Sequence, residues 1–199
     1  MKIEIETKYL KALLVSVPTH EVRYYLCGIN FKSKDGRITA VSTDGHRISQ
    51  WLIANDYKGE DFNFIMSKKA IKAAVASKQD HVVLNTAEQH IELEYGTVAG
   101  LIDGKYPDTD RVLNRSTIEN KDGGCYINSS YIADAIKIAN MLCPKNRDYK
   151  LHQVNSSPNT TVLFTFTNVD DFLHGIMPMR GECFDEHQSY TTLEKVLSK

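Results

Sequence analysis

The stretch FNFIMSKKAIKAAVAS, from Phe62 to Ser77, decides the fold because it predicts a strand followed directly by a helix. Residues 62–66 are mostly apolar, which is typical of a strand with a buried face. Ser67 is a suitable N-cap, since its hydroxyl can accept a hydrogen bond from an unpaired backbone N–H. Ile71, Ala74 and Val75 then recur at helical spacing among lysines, so the helix is expected to be amphipathic.

The same pattern occurs near both ends of the chain. Residues 3–6 predict a strand, and Thr7 is expected to cap the helix that follows it. Residues 125–127 predict a third strand, and Asn128 is expected to cap a third helix. The three predicted caps lie 60 and 61 residues apart, a period typical of stacked supersecondary units. The predicted apolar faces of the first and third helices comprise Leu10, Leu13, Leu14, Val17, Ile132, Ala135, Ile136 and Ala139.

Strand-like runs joined by turns follow each predicted helix. The Asp35-Gly36 pair, for example, suits a tight turn between two strands. The sequence therefore predicts an α+β fold of three repeated strand–helix–strand–strand–strand units, with the helices on one face of antiparallel sheets. The predicted strand runs are residues 24–32, 37–42, 81–85, 90–95, 150–154 and 160–167.

The composition is typical of a soluble globular protein. The chain has 199 residues, of which 42% are hydrophobic and 25% charged, and its formal net charge is −1. This balance excludes a strongly basic nucleic-acid-binding protein, although a single basic face remains compatible with it. The four cysteines form no CxxC pair, so we expect no metal site and no cofactor, and free thiols suit a reducing cytoplasm. No apolar run approaches the roughly 20 residues that span a membrane, so no membrane partner is expected.

The segment from Ser42 to Arg47 contains residue types found in catalytic sites. Ser42, Asp44 and His46 supply a hydroxyl, a carboxylate and an imidazole. They are too close together around a glycine turn to be expected to act as a catalytic set, and the chain has no GxSxG motif. Two other interpretations stay open. Either Asp44 caps the turn and His46 is an ordinary hydrogen-bonded residue, or the turn is one wall of a binding cleft.

Four short motifs occur in the same order as in one known family. They are EVRYYLCG at residues 21–28, TDGHR at 43–47, LIDGKYPD at 101–108 and IMPMR at 176–180. With these motifs the chain resembles the bacterial DNA polymerase III beta sliding clamp family over most of its length. The resemblance implies a DNA-clamp-like fold and no enzymatic activity. It also implies a complete clamp-like domain at residues 1–113, half a domain at 114–182 and a C-terminal tail at 183–199.

The resemblance places a cleft for short partner peptides between the complete domain and the end of the half domain. Methionine suits such a cleft, because its flexible, polarizable side chain adapts to varied apolar ligands. Thr, His and Arg at the rim can form hydrogen bonds with a peptide. Gly175 replaces a larger apolar residue of the family, so a wider or shallower subsite is expected there. By resemblance, the cleft comprises Arg23, Leu26, Thr43, Gly45, His46, Arg47, Ile48, Pro107, Arg111, Val112, Gly175, Ile176, Met177, Pro178, Met179 and Arg180.

The resemblance also implies a surface that contacts double-stranded DNA independently of its sequence. Such contacts bind phosphates without reading bases, and they permit sliding. For the tyrosines the alternative is a half-buried position in a strand, and for the lysines it is a solvated helix face. The implied DNA-contacting residues are Arg23, Tyr24, Tyr25, Lys8, Lys11, Lys68, Lys69, Lys72 and Lys137.

These expectations give one functional hypothesis and one alternative. The hypothesis is a replication accessory protein that binds clamp-interacting motifs of DNA polymerases and other DNA enzymes, and that encircles DNA as a homo-oligomeric processivity factor. A clamp loader is a further implied partner. The alternative is a non-encircling adaptor or decoy that competes for clamp-binding partners. Residues 189–197 predict a short helix, and three roles stay open for this tail: a lid over the cleft, a cover for the third unit, or disorder.

Overall fold

The structure is a computed structural model that describes residues 1–116, 126–143, 150–154 and 160–179. Its helices are α1 (Thr7–Leu14), α2 (Lys68–Ala76), α3 (Asp110–Ser116) and α4 (Ser129–Leu142), and a 3-10 turn covers Tyr24–Leu26. Its strands are β1 (Lys2–Glu6), β2 (Gly28–Lys34), β3 (Arg37–Thr43), β4 (Arg47–Ala54), β5 (Asn63–Ser67), β6 (His81–Asn85), β7 (His90–Leu93), β8 (Gly96–Val98), β9 (Leu101–Ile102), β10 (Leu151–Gln153), β11 (Val162–Phe166) and β12 (Val169–Ile176).

The strands form two antiparallel sheets. The larger sheet has the order β10-β11-β12-β4-β3-β2-β5-β9, and the smaller one has the order β1-β6-β7-β8. Helices α2, α1 and α4 lie side by side and share one apolar core with both sheets. The predicted α+β fold of repeated units is therefore confirmed.

The first two units exchange their first strands. β1 pairs with β6 of the second unit, so that Glu6 lies opposite His81. β5 pairs with β2 of the first unit, so that Ser67 lies opposite Gly28. Because the first strand of each unit pairs with the sheet of the other unit, the two units are packed together by strand exchange.

The core explains why the helices are amphipathic. Leu10 and Leu13 of α1, Ile71 of α2 and Phe31 of β2 are all 0% exposed. They belong to one cluster, in which the helices cover the inner faces of the strands. Burying each such side chain stabilises the fold by about 1.5–3 kcal/mol.

The third unit is attached to the first by a continuous ladder. β12 pairs with β4, placing His174 opposite Ser49 and Gly175 opposite Ile48. Asp171 on β12 accepts hydrogen bonds from the Tyr9 hydroxyl and the Trp51 Nε1, each at 3.0 Å. The larger sheet therefore runs without a break from one unit into the other.

Two of the three predicted helix caps are confirmed. The Ser67 hydroxyl accepts from the N–H of Ala70 at 3.3 Å, and the Asn128 Oδ1 accepts from the N–H of Ser130 at 2.9 Å. The prediction for Thr7 was wrong, because Thr7 is already the first residue of α1. Its hydroxyl instead donates to the carbonyl oxygens of Gln79 at 2.5 Å and Asp80 at 3.1 Å.

The strand predicted at residues 24–32 begins later than expected. Tyr24–Leu26 forms a 3-10 turn, in which the N–H of Leu26 donates to the Arg23 carbonyl at 2.8 Å. Arg23 is held by a hydrogen bond to the Asp44 carbonyl in the β3–β4 turn, so the chain must bend before β2 starts at Gly28. The tyrosines therefore do not alternate across a strand as predicted; Tyr24 is exposed and Tyr25 half-buried.

The third unit departs from prediction in two further places. Ile136, expected on the apolar face of α4, is 50% exposed, whereas Ile138 is 0% exposed in the core. Of the strand predicted before Asn128, the described part contributes one bridge, between Tyr126 and Met179. The predicted tail helix at residues 189–197 lies outside the described residues.

Candidate binding cleft

A narrow cleft opens where the β3–β4 turn, the segment before α3 and the end of β12 meet. Its volume is about 180 Å³. Leu26 and Ile48 form an apolar floor, and both belong to a buried cluster with Leu163. The lining residues are Arg23, Leu26, Thr43, Gly45, Arg47, Ile48, Pro107, Asp108, Thr109, Val112, Thr161 and Met177.

The β3–β4 turn is fixed by its own side chains. Asp44 Oδ1 accepts hydrogen bonds from the N–H groups of His46 at 2.9 Å and Arg47 at 3.0 Å. The Thr43 hydroxyl accepts from the N–H of Gly45 at 3.0 Å and donates to the Arg47 carbonyl at 2.7 Å. Gly45 has a φ of +92°, which favours glycine. The interpretation that Asp44 caps this turn is confirmed.

Arg23 forms the outer rim of the cleft. Its guanidinium lies over Gly45, where a Cβ would be 3.1 Å from both terminal nitrogens. The same group donates to the Asp44 carbonyl at 3.1 Å and to the Glu21 carboxylate at 2.9 and 3.1 Å. These hydrogen bonds from Arg23 lower the pKa of Glu21 to about 2. The rim therefore holds an oriented but exposed cation.

Arg47 and His46 attach the turn to α4. Arg47 donates to Asp44 Oδ2 at 3.0 Å and forms an ion pair with Asp134. Its guanidinium also lies 4.9 Å from the centre of the Tyr131 ring. The His46 ring is stacked on that same tyrosine, with 6.4 Å between the ring centres. The turn is thus held from both units.

Met177 forms the opposite wall, immediately after β12. Its N–H donates to the His46 carbonyl at 2.7 Å, and its sulfur accepts from the Thr161 hydroxyl at 3.0 Å. Gly175 lies behind it, where an added Cβ would be 2.7 Å from Thr161 Cγ2 and 2.9 Å from Ile48 Cγ2. The room expected from the missing side chain at Gly175 is therefore taken up by Thr161 and Ile48.

The third side of the cleft is set by the start of α3. Tyr106 and Leu113, both 7% exposed, anchor the segment in the buried cluster below the cleft. Burial raises the pKa of the Tyr106 hydroxyl. Between these anchors, Pro107 and Val112 face the cleft. Lys32 donates to Asp110 at 2.6 Å and so holds α3 against β2.

Comparison with known proteins identifies the family to which the chain belongs. Residues 4–108 match the sequence profile of the family described as DNA polymerase III beta subunit, central domain. The chain belongs to the bacterial DNA polymerase III beta sliding clamp family. Among the family's curated members, the beta sliding clamp of Rickettsia bellii is 31% identical over 156 residues, which cover 72% of this chain and 40% of the relative. That of Haemophilus influenzae is 26% identical over 128 residues, covering 58% of this chain and 33% of the relative.

Solved structures of the clamp family share the fold. The DNA polymerase III subunit beta of Pseudomonas aeruginosa superposes with a TM-score of 0.67 at 20% identity, covering 90% of this chain and 66% of that one. The beta chain of Streptococcus pneumoniae gives a TM-score of 0.65 at 20% identity, with 90% and 65% covered. The chain thus spans two fifths or less of the two curated relatives and about two thirds of the solved structures.

Most of the residues that the clamp resemblance assigned to the cleft do meet there. Five of the others lie elsewhere among the described residues: His46 is on Tyr131, Ile176 is 0% exposed in β12, and Arg111, Pro178 and Met179 do not line the pocket. Gly175 lies behind the wall, and Arg180 lies outside the described residues. The residues that sequence reasoning missed are Asp108, Thr109 and Thr161. Asp108 is the last residue of the motif LIDGKYPD and Thr109 follows it directly, whereas no sequence signal marks Thr161.

The fold separates the side chains of Ser42, Asp44 and His46. Ser42 is 0% exposed, and its hydroxyl donates to the Leu13 carbonyl at 2.7 Å on the inner side of the sheet. Asp44 caps the turn, and the His46 ring lies on Tyr131. The structure therefore does not assemble them into one site.

The lysines named for DNA contact fall into two groups. Lys68 donates to the carbonyls of Val17 at 2.8 Å and Pro18 at 3.1 Å, and its burial lowers its pKa. Lys8 is ion-paired with Glu6 at 2.5 Å. The remaining helix lysines are exposed; they are Lys11, Lys69, Lys72 and Lys137.

Two further findings concern the described part of the chain. It contains no group of three or more His, Cys, Asp or Glu side chains placed to hold a metal ion. It also contains no helix that is both long and apolar enough to cross a membrane.

Proposed function

We propose that this clamp-family protein is a non-catalytic replication accessory factor whose cleft binds short peptide motifs of DNA polymerases and other DNA enzymes in the cytoplasm. The observation that carries the proposal is the apolar cleft itself, which has one wall from the β3–β4 turn and another from Met177. Family membership supports a role in DNA replication. The peptide partners are inferred from the clamp resemblance, and the chemistry of the lining agrees with them.

The lining suits a peptide with apolar side chains and one polar anchor. Leu26, Ile48, Val112 and Met177 offer apolar surface for one or two aliphatic or aromatic side chains. Arg23 stands at the rim, where it can donate to a peptide carbonyl or a side-chain amide. A short linear ligand loses conformational freedom on binding, so we expect dissociation constants in the micromolar range or weaker.

Calorimetric titration with a panel of peptides that carry glutamine followed by apolar residues tests the cleft. Met177→Ala should weaken binding by about 10-fold, because it removes apolar contact surface. Met179→Ala is the matched control, since Met179 lies outside the pocket and should leave binding unchanged. Absence of binding across the panel, or equal behaviour of the two variants, would show that the cleft is not the peptide site.

We also propose that the exposed helix lysines and Arg23 contact DNA phosphates without reading bases. Helices α1, α2 and α4 carry the exposed lysines Lys11, Lys69, Lys72 and Lys137. Binding of this kind weakens steeply with salt and is similar for all sequences. The family supports an oligomer around DNA, with a clamp loader as a further partner.

Retention on circular DNA separates encirclement from a role as an adaptor. A protein that encircles DNA stays on a closed circle in high salt and leaves when the circle is cut. A non-encircling adaptor or decoy binds the peptides equally well but is released from both forms of DNA. The two outcomes distinguish the functions without relying on peptide affinity.

A further inference from the structure

A second cavity, of about 560 Å³, lies on the outer face of the larger sheet. In β2, β3 and β4, the residues Phe31, Ala40 and Trp51 belong to the core that is shared with the helices, so their neighbours along each strand point outward. Helix α3 covers part of this outer face, because Leu113 is buried in the cluster beside it. The lining of the cavity includes Lys32, Lys34, Arg37, Gln50, Leu52 and Asp110.

The cavity has an excess of positive charge. Lys34 and Arg37 are exposed and lie directly opposite each other in the β2–β3 ladder, where like charges destabilise the pairing. Neither side chain forms an ion pair with another residue that the structure describes. Lys32 donates to Asp110 at 2.6 Å, and Asp35 lies in the turn between the two free cations. With three cations against two carboxylates in its lining, the cavity favours an anionic occupant.

The end of the cavity away from this turn offers a hydrogen-bond acceptor. Asn30 of β2 and Gln50 of β4 both lie opposite Val41 of β3, so one row across the outer face carries two amide side chains. The Oδ1 of Asn30 and the Oε1 of Gln50 are buried and have no hydrogen-bond partner among the described residues, which is unfavourable. Gln50 lines the cavity and its terminal torsion turns readily, so it can accept a hydrogen bond from an N–H group of an occupant.

Helix α3 separates this cavity from the peptide cleft. Thr109 and Val112 line the cleft, whereas Asp110 and Leu113 line the cavity. A helix with its side chains is about 10–12 Å wide, and an extended chain advances about 3.3 Å for each residue. A peptide that leaves the cleft therefore needs about three or four residues to cross α3 and enter the cavity.

We infer that the cavity binds an acidic segment of the partner peptides that occupy the cleft. Carboxylates of this segment pair with Lys34 and Arg37, which relieves the repulsion between the two cations. A backbone N–H of the segment donates to Gln50. A peptide supplies both kinds of group, whereas a simple anion supplies no N–H donor. The inference rests on the proposed function of the cleft, because the cleft brings the segment to the cavity.

Calorimetric titration of the full chain with a set of peptides tests the inference. The core peptide carries glutamine followed by apolar residues, and two extended peptides add a short glycine spacer and a run of aspartates at one end or the other. One of the extended peptides should bind about 5-fold more tightly than the core peptide at low salt, and the gain should shrink as salt is added.

A charge reversal assigns this gain to the cavity. Lys34→Glu should abolish it, because the new carboxylate pairs with Arg37 and repels the aspartates, and should leave the affinity for the core peptide unchanged. Lys78→Glu is the matched control. It makes the same change at an exposed position beyond α2 that lines neither the cavity nor the cleft, so the gain should persist.

Three results would overturn the inference. One is equal affinity of the core and extended peptides for the unmodified protein. Another is a gain that Lys34→Glu leaves intact. The last is a lower melting temperature of Lys34→Glu, since it would show that a carboxylate of the same chain already pairs with Lys34.

A separate titration distinguishes the cavity from the cleft. The run of aspartates without the apolar motif is added to isotope-labelled protein at low salt. At about 10 mM it should shift the amide NMR signals of residues 32–37 and leave the signal of Gly45, in the cleft, unchanged. A core peptide that does not bind would contradict the proposed function of the cleft, whereas unchanged signals at residues 32–37 would contradict the inference about the cavity.

Discussion

The Nδ1 atom of His174 lies 2.9 Å from the hydroxyl oxygen of Ser49, in the middle of the ladder that joins β12 to β4. The Ser49 hydroxyl oxygen in turn lies 2.7 Å from the hydroxyl oxygen of Ser16, which follows α1. His174 is 0% exposed, and its Nε2 has no hydrogen-bond partner among the described residues. Burial, assisted by the charge of Arg47, lowers the pKa of His174 to about 3. A neutral imidazole therefore sits at the junction of the two units.

Acid should destabilise this junction. In the unfolded chain His174 takes up a proton near its ordinary pKa of about 6.5, whereas in the folded chain it stays neutral down to about pH 3. The contribution of neutral His174 to the free energy of unfolding is therefore complete above pH 6.5. It is lost as the pH falls, by about 1.4 kcal/mol for each pH unit.

Urea unfolding at pH 7.5 and pH 4.5 measures this effect. Between these values the unmodified protein should lose about 2–3 kcal/mol more than His174→Asn, which cannot titrate in that range. The other histidines are present in both proteins and cancel in the comparison. Parallel pH profiles for the two proteins would contradict the assignment to His174.

Replacing Gly45 should damage the cleft as well as the fold. Gly45→Ala places a side chain at a φ of +92° and within 3.1 Å of the Arg23 guanidinium. We expect a loss of about 1–2 kcal/mol in the free energy of unfolding, together with weaker peptide binding because Arg23 must move. Gly96→Ala is the control, since its φ is +133° but no atom lies within 4 Å. That variant should lose stability and keep its affinity for peptide.

The ion pair between Arg47 and Asp134 should couple the β3–β4 turn to α4. Both side chains are largely buried, with 15% and 26% of their surfaces exposed. A double-mutant cycle with Arg47→Ala and Asp134→Ala should give a coupling energy of about 1–2 kcal/mol in thermal or urea unfolding. A parallel cycle with Arg47→Ala and Asp44→Ala measures the coupling energy of the contact within the turn itself. Additive single effects for Arg47 and Asp134 would mean that the pair does not hold the junction.

Two lysines on one helix should have different roles. Lys68→Met should lower the free energy of unfolding by about 1–2 kcal/mol, because it removes a partly buried ammonium that donates to two carbonyls just beyond α1. Lys72→Met should leave stability unchanged, since Lys72 is exposed. If the helix face contacts DNA, Lys72→Met should also reduce the slope of log affinity against log salt concentration by about 1. Equal stability losses would contradict this division.

Local rules predicted most of the repeated framework. Ser67 and Asn128 were recognised as caps because side-chain capping depends only on neighbouring residues. The 3-10 turn at Tyr24–Leu26 was missed because aromatic residues favour strands, and the bend is set by contacts between Arg23 and the distant turn at Asp44.

Contacts between units were equally hidden from sequence reasoning. Thr161 reaches the cleft because β11 and β12 pair in one particular register, and the sequence alone does not fix that register. Ile136 follows the helical period of a buried residue, yet it is 50% exposed among the described residues. Periodicity predicts an apolar face, but it does not say how far each residue of that face is buried.

The β4–β12 ladder has a kinetic consequence for any ligand of the cleft. Ile48 in the floor and Met177 in one wall of the cleft are joined by paired backbone, so no hinge has to close when a peptide arrives. Association rates should then vary little from one peptide to the next, and partners should differ mainly in how long they remain bound. Exchange between competing enzymes would be governed by residence time rather than by a conformational step.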